Sequence, residues 1–450
     1  MRTASGIAGS GAAFRARKRP MVTRPEAAKI GDHAAIEHLL ATVLQRPSTL
    51  EFNAQLDEPS YDPSDRLIVK CDDEIIGHIR SSWRTIRMGR ANFPLCRFDS
   101  FAVLPEYRTV GVPEALFTAV ERRLSKRGTA IGELDMRDAM IGQNDDWIKC
   151  GRCVYSQASS RDILSQLSVE EDRSQGDQLL DPARGERSVL SVRHWRQVEL
   201  PALMRIYQAN LASSYGLLAR SEAYWRWLVS RRAFDQIFVA IEGRDRLSLE
   251  EDGCRIVGYA VTKGHHIVEM MAEPSHSEAT ARLLHRACSD AIERDWHTVR
   301  FHAPACHPLH AVLVEAGGDL QRQTTESTRQ VLVRLPETPS YMRCFASELL
   351  DRAIRGNLAF PVELGIQVSA EKRQLNLTES AADLIDGRLG RSYISCDRAT
   401  WNQLRLGYCD AECALADGSL AASTTLAADM AQTLFPKVPL WRPPWDDLAV

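Results

Sequence analysis

The chain has 450 residues and a formal net charge of −3, and 44% of its residues are hydrophobic and 26% are charged. This length predicts two to four domains, and the composition is that of a globular protein with substantial cores. The basic residues are scattered rather than clustered, so no nucleic-acid partner is expected. The sequence has no run of about eighteen apolar residues, so no membrane association is expected either.

Residues 1–21 contain several arginines and no acidic residue, which predicts a disordered basic tail. An organelle presequence and a true start at Met21 are the alternatives. The 11 cysteines have no regular spacing, which is typical of reduced thiols and predicts a cytoplasmic protein. Cys150 and Cys153 have no second CxxC pair, and His302–His310 resembles a loop after a strand. No metal site is therefore expected.

The first predicted elements alternate between helix and strand. A helix begins near Asp32, and a hairpin of two strands follows it. A strand from Phe98 to Leu104 leads through a loop into a helix from Glu114 to Lys126, and a strand from Ile131 to Met136 comes next. This order predicts an α/β domain over residues 22–168.

Residues 169–188 are polar and poor in aromatic side chains, which predicts a linker. After it the same order of elements returns over residues 189–340, so we expect a second copy of the first domain. Further on, the pattern changes to the alternating strand Val362–Val368 and an alanine-rich helix. These patterns predict a third domain, of the α+β class, over residues 341–450.

The strongest candidate site is the segment between the predicted strand and the helix that follows it, Ala102-Val-Leu-Pro-Glu-Tyr-Arg-Thr-Val-Gly-Val-Pro113. The start of a helix presents unpaired N–H groups and the positive end of the helix dipole, which suit a pyrophosphate. Gly111 allows a ligand to approach the backbone closely, and Arg108 adds a charged donor. An ordinary strand-to-helix turn is the alternative interpretation.

This segment resembles the acetyl-CoA loop of the GNAT acetyltransferase superfamily, which reads V-x-P-x-[FY]-R-x-x-G-x-[GA]. The matching positions are Val103, Pro105, Tyr107, Arg108 and Gly111. The resemblance implies that acetyl-CoA is the acyl donor and that it is bound by Val103, Leu104, Arg108, Thr109, Val110, Gly111, Val112 and Pro113. At the last motif position this chain has Pro113, which lacks an N–H but is well tolerated in the first turn of a helix.

The wider layout is similar to the Eis (enhanced intracellular survival) acetyltransferases, which implies tandem GNAT domains followed by a sterol-carrier-protein-like domain. The segment Arg220-Ser-Glu-Ala-Tyr-Trp-Arg-Trp-Leu228 is similar to an aromatic segment in the middle domain of that family. No Arg/Gly loop precedes Ser277, so we expect the second GNAT copy to be degenerate and to bind no CoA. The acceptor implied is a primary amine of a small molecule or a lysine, and a homo-oligomer is left open.

Members of the family commonly use a tyrosine after the fifth strand as general acid and the terminal carboxylate of the chain as base. Here that tyrosine is replaced by Gly142 or, in a second alignment, by Trp147. Tyr155 is the nearest phenol and the candidate acid, with a core aromatic as the alternative. The candidate bases are Asp99, on the strand that enters the loop, and the terminal carboxylate of Val450. For Asp99, a paired surface carboxylate is the alternative.

The leading interpretation is therefore an N-acetyltransferase that transfers the acetyl group of acetyl-CoA to a primary amine. One alternative is a non-catalytic GNAT-like binding or regulatory protein, in which loss of the tyrosine reflects decay. Another is a lipid carrier that acts through the third domain. Release of a thiol from acetyl-CoA in the presence of amines separates the first interpretation from the second.

Overall fold

The computed structural model describes residues 24–136, 146–150, 154–168, 190–243, 255–322, 330–438 and 440–448. The expected basic tail and the expected linker lie outside these residues. Within them, the strands form three sheets. None of the helices in these ranges is long and apolar enough to cross a membrane.

The N-terminal segment contains the elements predicted for it and some that were not. Its strands are β1 (Glu26–Ala27), β2 (Arg66–Cys71), β3 (Glu74–Met88), β4 (Ala91–Val103), β5 (Ile131–Met136), β6 (Trp147–Cys150) and β7 (Val154–Ser159). Its helices are α1 (His33–Leu44), α2 (Thr49–Leu56), α3 (Val112–Lys126) and α4 (160–168). The predicted hairpin is confirmed as β2 and β3, and the helix predicted from Glu114 begins at Val112.

The middle and C-terminal segments complete the three sheets. The middle strands are β8 (Leu190–His194), β9 (Tyr215–Leu218), β10 (Gln236–Glu242), β11 (Arg255–Lys263), β12 (His266–Ala272), β13 (Thr298–His302), β14 (Asp319–Arg322) and β15 (Gln330–Arg334). The middle helices are α5 (Leu200–Leu211), α6 (Glu222–Ser230), α7 (Ala279–Glu293) and α8 (Leu309–Glu315). The C-terminal elements are α9 (Thr338–Arg355), β16 (Val362–Val368), β17 (Glu371–Leu377), β18 (Ala382–Asp386), β19 (Tyr393–Cys396), α10 (Arg398–Leu406), α11 (Ala411–Ala416), β20 (Leu420–Ala422) and α12 (Thr425–Leu434).

The first two sheets have the same strand order. The first sheet runs β1-β2-β3-β4-β5-β15-β6, with β9 paired to β3, and the second runs β8-β10-β11-β12-β13-β7-β14. Each sheet has one parallel pair, β4 with β5 in the first and β12 with β13 in the second. The other strand pairs described in both sheets are antiparallel. One pattern of strand order and direction therefore occurs twice.

Each of these sheets also contains a strand from the other half of the chain. β15 follows the middle segment but lies between β5 and β6 of the first sheet. β7 precedes the expected linker but lies between β13 and β14 of the second sheet. Helix α4 packs on the second sheet, since Ile163 and Leu167 belong to its core. The boundary suggested by the polar residues 169–188 therefore does not separate the two sheets.

Two glycines at equivalent positions set how closely a helix packs on each sheet. Gly77 of β3 pairs with Val103, and a Cβ at Gly77 would meet Val112 of α3 at 2.9 Å. Gly258 of β11 occupies the same place in the second sheet, where a Cβ would meet Leu283 of α7 at 3.1 Å. The start of α3 and the start of α7 are therefore equivalent positions at the ends of β4 and β12.

The third sheet has the order β18-β17-β16-β19-β20, and the residues after α12 return to the first two sheets. The Trp441 N–H donates to the Tyr215 carbonyl at 2.8 Å, and Gly216 makes room because a Cβ there would collide with the backbone of Trp441. Trp445 is fully buried, and its ring lies 5.6 Å from that of Trp225. Residues 440–448, called the tail below, therefore lie inside the molecule.

Candidate functional site

The predicted cofactor loop connects β4 to α3, and its backbone is arranged to face a ligand. Gly111 has a φ of 85°, and a Cβ built on it meets no atom within 4 Å. The first hydrogen bond of α3 joins the Ala115 N–H to the Gly111 carbonyl at 3.0 Å. The N–H groups that precede Ala115 therefore lie ahead of the helical ladder, beside open space, where an anion can accept from them.

The residues predicted to bind the cofactor differ in exposure. The exposed ones are Arg108, Thr109, Val110 and Gly111, whereas Val103, Val112 and Pro113 are buried and Leu104 is half-buried. The Leu104 N–H is already used by the Ile76 carbonyl at 3.0 Å. Pro113 lies in the first turn of α3, where its missing N–H breaks no helical hydrogen bond. The departure from the motif at Pro113 therefore leaves the helix start intact.

The strands β4 and β5 separate beside this loop. Their pairing ends at Phe98 and Leu134, although β4 continues to Val103. The neighbouring pairing of β3 with β4 is also irregular there, and Ser100 has a φ of 54°. We call the gap between β4 and β5 beyond Phe98 and Leu134 the cleft; irregular strands of this kind are common next to active sites.

The tail reaches this cleft through a ring of four charged side chains. Arg97 of β4 lies opposite Glu133 of β5, and their side chains approach to 3.7 Å. From the tail, Arg442 bonds Glu133 at 3.1 Å and Asp447 at 3.0 Å, and Asp447 also pairs with Arg97. The ring fixes the tail to the two strands at the point where they separate.

A second buried cluster fixes the same tail to the second sheet. Arg220 bonds Glu269 at 2.6 Å and Asp446 at 2.8 Å, and none of these side chains has exposed surface. The Tyr224 hydroxyl donates to Asp446 at 3.2 Å. Burial raises the pKa of Glu269, whereas at Asp446 burial is opposed by the arginines around it, Arg220 first, and the pKa is lowered. Because breaking a buried ion pair commonly costs about 3–5 kcal/mol, the tail is firmly held.

Asp99, one of the two predicted bases, is engaged in an ion pair. Arg80 donates to its two carboxylate oxygens at 2.8 and 2.7 Å, and Ser100 donates at 2.9 Å. Although burial opposes ionisation, the Arg80 guanidinium holds the pKa of Asp99 well below its ordinary value. A carboxylate with so low a proton affinity is a poor general base. The structure therefore favours a role for Asp99 in holding β3 against β4.

The predicted acid, Tyr155, lies on the wrong sheet for this cleft. It belongs to β7, and its ring packs on His302 at 5.4 Å in the second sheet. Because Tyr155 closely follows β6 in the sequence, it was expected to lie near the site on the first sheet. Its strand, β7, belongs to the second sheet instead. Trp147, which replaces the family tyrosine in one alignment, is buried and packs on Phe117 at 5.5 Å. Gly142 and Val450 lie outside the described residues.

Glu51 is a candidate that the sequence did not single out. It lies in the first turn of α2, and Glu58 follows the end of that helix. Glu58 is bound by Arg84 at 2.6 Å, whereas Glu51 has no ion pair with any residue that the structure describes. Burial raises the pKa of Glu51 above its ordinary value. A half-buried carboxylate of this kind suits an ammonium group or a general base.

The equivalent loop of the second sheet is occupied by acidic side chains. Glu273 follows β12, is buried, and bonds Arg205 at 3.1 Å and Arg255 at 2.6 Å. Glu278 precedes the first residue of α7. Carboxylates at this position are unfavourable for a pyrophosphate, and the absence of CoA from this copy stays a prediction.

If only the loop at Gly111 binds CoA, each chain has one binding site. Because β7 completes the second sheet and β15 completes the first, neither half can be tested in isolation. We expect calorimetric titration of the full chain with acetyl-CoA to give a stoichiometry of about one. A stoichiometry of two would contradict the interpretation of the Glu273 loop.

No family model and no curated protein sequence match this chain. Solved structures do match it. A probable N-acyltransferase from Enterococcus faecalis aligns with a TM-score of 0.67 at 14% identity. A GCN5-related N-acetyltransferase from Kribbella flavida gives 0.64 at 16%, and Eis1 from Mycobacterium abscessus gives 0.59 at 14%. Each alignment covers 94% of this chain and 99% of the other.

The chain has the fold of these GCN5-related N-acetyltransferases. The likeness extends over nearly the whole chain, so it includes the third sheet as well as the cofactor loop and the cleft. Among the described residues, no group of three or more His, Cys, Asp or Glu side chains is arranged to hold a metal ion.

Proposed function

We propose that this chain is an acetyl-CoA-dependent N-acetyltransferase that acetylates a primary amine of a small molecule or a lysine. The observation that carries the proposal is the helix start at Gly111, which is open and positively polarised and lies beside the separation of β4 from β5. We also propose that the second sheet is a degenerate copy of the first, and that the third is a sterol-carrier-like domain. The degenerate copy and the tail would form walls of the acceptor site.

In this proposal the chain supplies positions for two molecules. The N–H groups at the start of α3 and the Arg108 guanidinium bind the pyrophosphate of acetyl-CoA. The cleft beyond Phe98 and Leu134 receives the thioester. The amine nitrogen attacks the thioester carbonyl, so a base must take a proton from the ammonium and an acid must return one to the thiolate. Holding both reactants in one cleft supplies much of the rate acceleration.

The terminal carboxylate of Val450 is one proposed base. The Leu448 carbonyl accepts from Arg231 at 3.1 Å, and Asp447 is held by the ring at the cleft. Two residues follow Leu448, and at roughly 3.3 Å per extended residue they span about 7 Å. In this proposal the anchors on the tail would leave the terminal carboxylate within reach of Asp447 and of the separating strands.

Glu51 is the second proposed base, and its raised pKa predicts how kcat/KM depends on pH. Burial raises the pKa of Glu51 above the ordinary value of 4.5. The base must be deprotonated, so kcat/KM should fall as the pH falls through that raised pKa. We expect Glu51→Gln to lower kcat/KM and to remove this acidic limb from the pH profile.

The control for Glu51 is Glu412→Gln, which alters an exposed carboxylate on α11 of the third domain. This control should leave both the rate and the pH profile unchanged. If Glu51→Gln retained the acidic limb, Glu51 would not be the titrating base.

A non-catalytic acetyl-CoA-binding protein is the second candidate function. It is favoured by the loss of the family tyrosine, because neither Gly142 nor the buried Trp147, the two residues aligned with it, offers a phenol. The test is release of free CoA thiol from acetyl-CoA over a panel of polyamines, aminoglycosides and lysine peptides. Amine-dependent thiol release supports the transferase, whereas acetyl-CoA binding without release supports the binding protein.

A further inference from the structure

The second sheet carries a polar face that no step of acetyl transfer uses. Alternation along its strands places Ile267, Phe301 and Ala158 in the core beneath α7 and α8. The residues next to them therefore point to the opposite side of the sheet. We call this group the histidine face, and its members are His266 of β12, Arg300 and His302 of β13, and Tyr155 and Gln157 of β7.

The side chains of the histidine face contact one another across three adjacent strands. The His302 ring lies 5.4 Å from the Tyr155 ring and 5.4 Å from the His266 ring. The Nδ1 atom of His266 and the Nε2 atom of His302 are 3.1 Å apart. The Arg300 guanidinium lies over the Tyr155 ring, 4.5 Å from its centroid. These four side chains therefore form one patch.

The patch borders a place where the second sheet opens. The pairing of β12 with β13 ends at Ile267 and Phe301, although β12 continues to Ala272. His302 is the first residue of β13 beyond this pairing. The side chains beside it in the patch, those of Tyr155, His266 and Arg300, are half-buried, so solvent reaches the patch.

Arg300 brings a positive charge to the patch without a carboxylate partner among the described residues. Its Nε and Nη2 atoms both donate to the Gln157 side-chain oxygen, at 3.1 and 2.8 Å. The register places Asp319 of β14 in the same row, but Gln157 lies between Asp319 and Arg300. A guanidinium that no carboxylate neutralises attracts an anion and repels a metal cation.

His302 supplies an independent sign of a ligand. Its side chain is 8% exposed, and its Nδ1 atom is buried without a hydrogen bond. Burial, reinforced by the neighbouring histidines and Arg300, lowers the pKa of His302 to about 3 and that of His266 to about 4. Both imidazoles are therefore neutral at pH 7, and each carries a single N–H.

Either tautomer leaves the Nδ1 atom of His302 in need of a partner. If His266 donates to His302, the Nδ1 atom carries the N–H and lacks an acceptor. If His302 donates to His266, the Nδ1 atom is bare and lacks a donor. A buried polar atom without a partner is unfavourable, so a ligand atom at this point would stabilise the patch.

We propose that the histidine face binds a phosphate group, either as inorganic phosphate or as a phosphate ester. Its oxygens accept from the Arg300 guanidinium, the Tyr155 hydroxyl and the N–H groups of the two histidines. Monohydrogen phosphate also carries an O–H donor, so it satisfies His302 in either tautomer, whereas a carboxylate satisfies only one. The proposal does not depend on acetyl transfer, because the cofactor loop, the cleft and the tail contribute no residue to the patch.

The test is calorimetric titration of the full chain in a buffer free of phosphate and sulfate. The ligands are inorganic phosphate, glycerol 3-phosphate and acetate. We expect saturable binding of phosphate and at least about tenfold weaker binding of acetate. Glycerol 3-phosphate distinguishes the two sources, because comparable binding indicates a phosphate ester and much weaker binding indicates free phosphate.

Two substitutions locate the phosphate on the histidine face. His302→Phe keeps a ring in the stack and removes both nitrogens, and Arg300→Gln removes the cation. Each should weaken phosphate binding at least about tenfold. His302→Phe should not lower the melting temperature, because the group that it removes includes a buried nitrogen without a partner. If Arg300→Gln proves unstable, His302→Phe decides alone.

Two controls separate this site from other sites on the chain. Arg343→Gln removes an exposed arginine on α9 and should leave phosphate binding unchanged. Gly111→Glu alters the cofactor loop on the first sheet, and the phosphate site that is lost in His302→Phe should persist in it. The proposal is overturned if phosphate does not bind saturably, if acetate binds equally well, or if binding survives both His302→Phe and Arg300→Gln. Saturable binding of Zn²⁺ that requires His302, without binding of phosphate, would overturn it as well.

Discussion

Gly111→Glu is expected to lower the affinity for acetyl-CoA by about 100-fold or more, which corresponds to roughly 2.7 kcal/mol. Two effects combine. At a φ of 85° a side chain is strained by about 1–2 kcal/mol, and the loop would relax away from its present form. The new carboxylate would also occupy the open space in front of Gly111, where it would repel a pyrophosphate. Calorimetric titration with acetyl-CoA measures the loss.

The control is Gly418→Glu, because Gly418 has a φ of 80° and equally open surroundings in the third domain. This variant should suffer the same backbone strain and bind acetyl-CoA normally. Gly111→Ala should give an intermediate loss, since it adds strain without charge. Unchanged affinity of Gly111→Glu for acetyl-CoA would remove the cofactor-loop assignment.

Adding two residues after Val450 is expected to lower kcat by roughly 100-fold while leaving acetyl-CoA binding and thermal stability nearly intact. The addition moves the terminal carboxylate by up to about 7 Å, and a misplacement of about 1 Å can already cost on the order of 100-fold in rate. Stability should persist because the anchors of the tail, at Asp446 and Asp447, lie upstream of the change. Steady-state kinetics together with a melting curve separates the two effects.

Val450→Ala is the matched control, because it keeps the terminal carboxylate in place and changes only the side chain. This variant should change kcat very little. Asp99→Asn tests the competing base, and we expect its main effect to be on stability, about 1–3 kcal/mol, because Arg80 loses a charged partner. If Asp99→Asn lowered kcat strongly and the two added residues did not, Asp99 would be the base and the terminal carboxylate would not.

Local patterns predicted the elements whose structure is determined locally. The hairpin β2–β3, the loop at Gly111 and helix α3 follow from alternation, turn residues and helical spacing within short windows. The exchange of β7 and β15 could not be predicted in this way. A short alternating segment specifies that one face is buried, but it does not specify which of two sheets of the same order buries it.

The candidate site shows the same limit. Asp99 was predicted as a base from its place on the strand that enters the loop, but its ion pair with Arg80 depends on the register across a bulge. Glu51 resembles any acidic residue in the first turn of a helix. Its half-buried position depends on how α2 packs, and the Trp227 indole of α6 donates to the Ala54 carbonyl at 2.8 Å. Such contacts join residues that are far apart in the sequence, and no short window contains them.

The transfer of an isotope-labelled acetyl group tests the central claim most directly. The full chain is incubated with acetyl-CoA labelled in the acetyl group and with a panel of primary amines, and the products are analysed by mass spectrometry. We expect a labelled N-acetyl amine with the wild-type chain, none with Gly111→Glu, and wild-type yield with Gly418→Glu. Binding of acetyl-CoA at the Gly111 loop without label on any amine would contradict it.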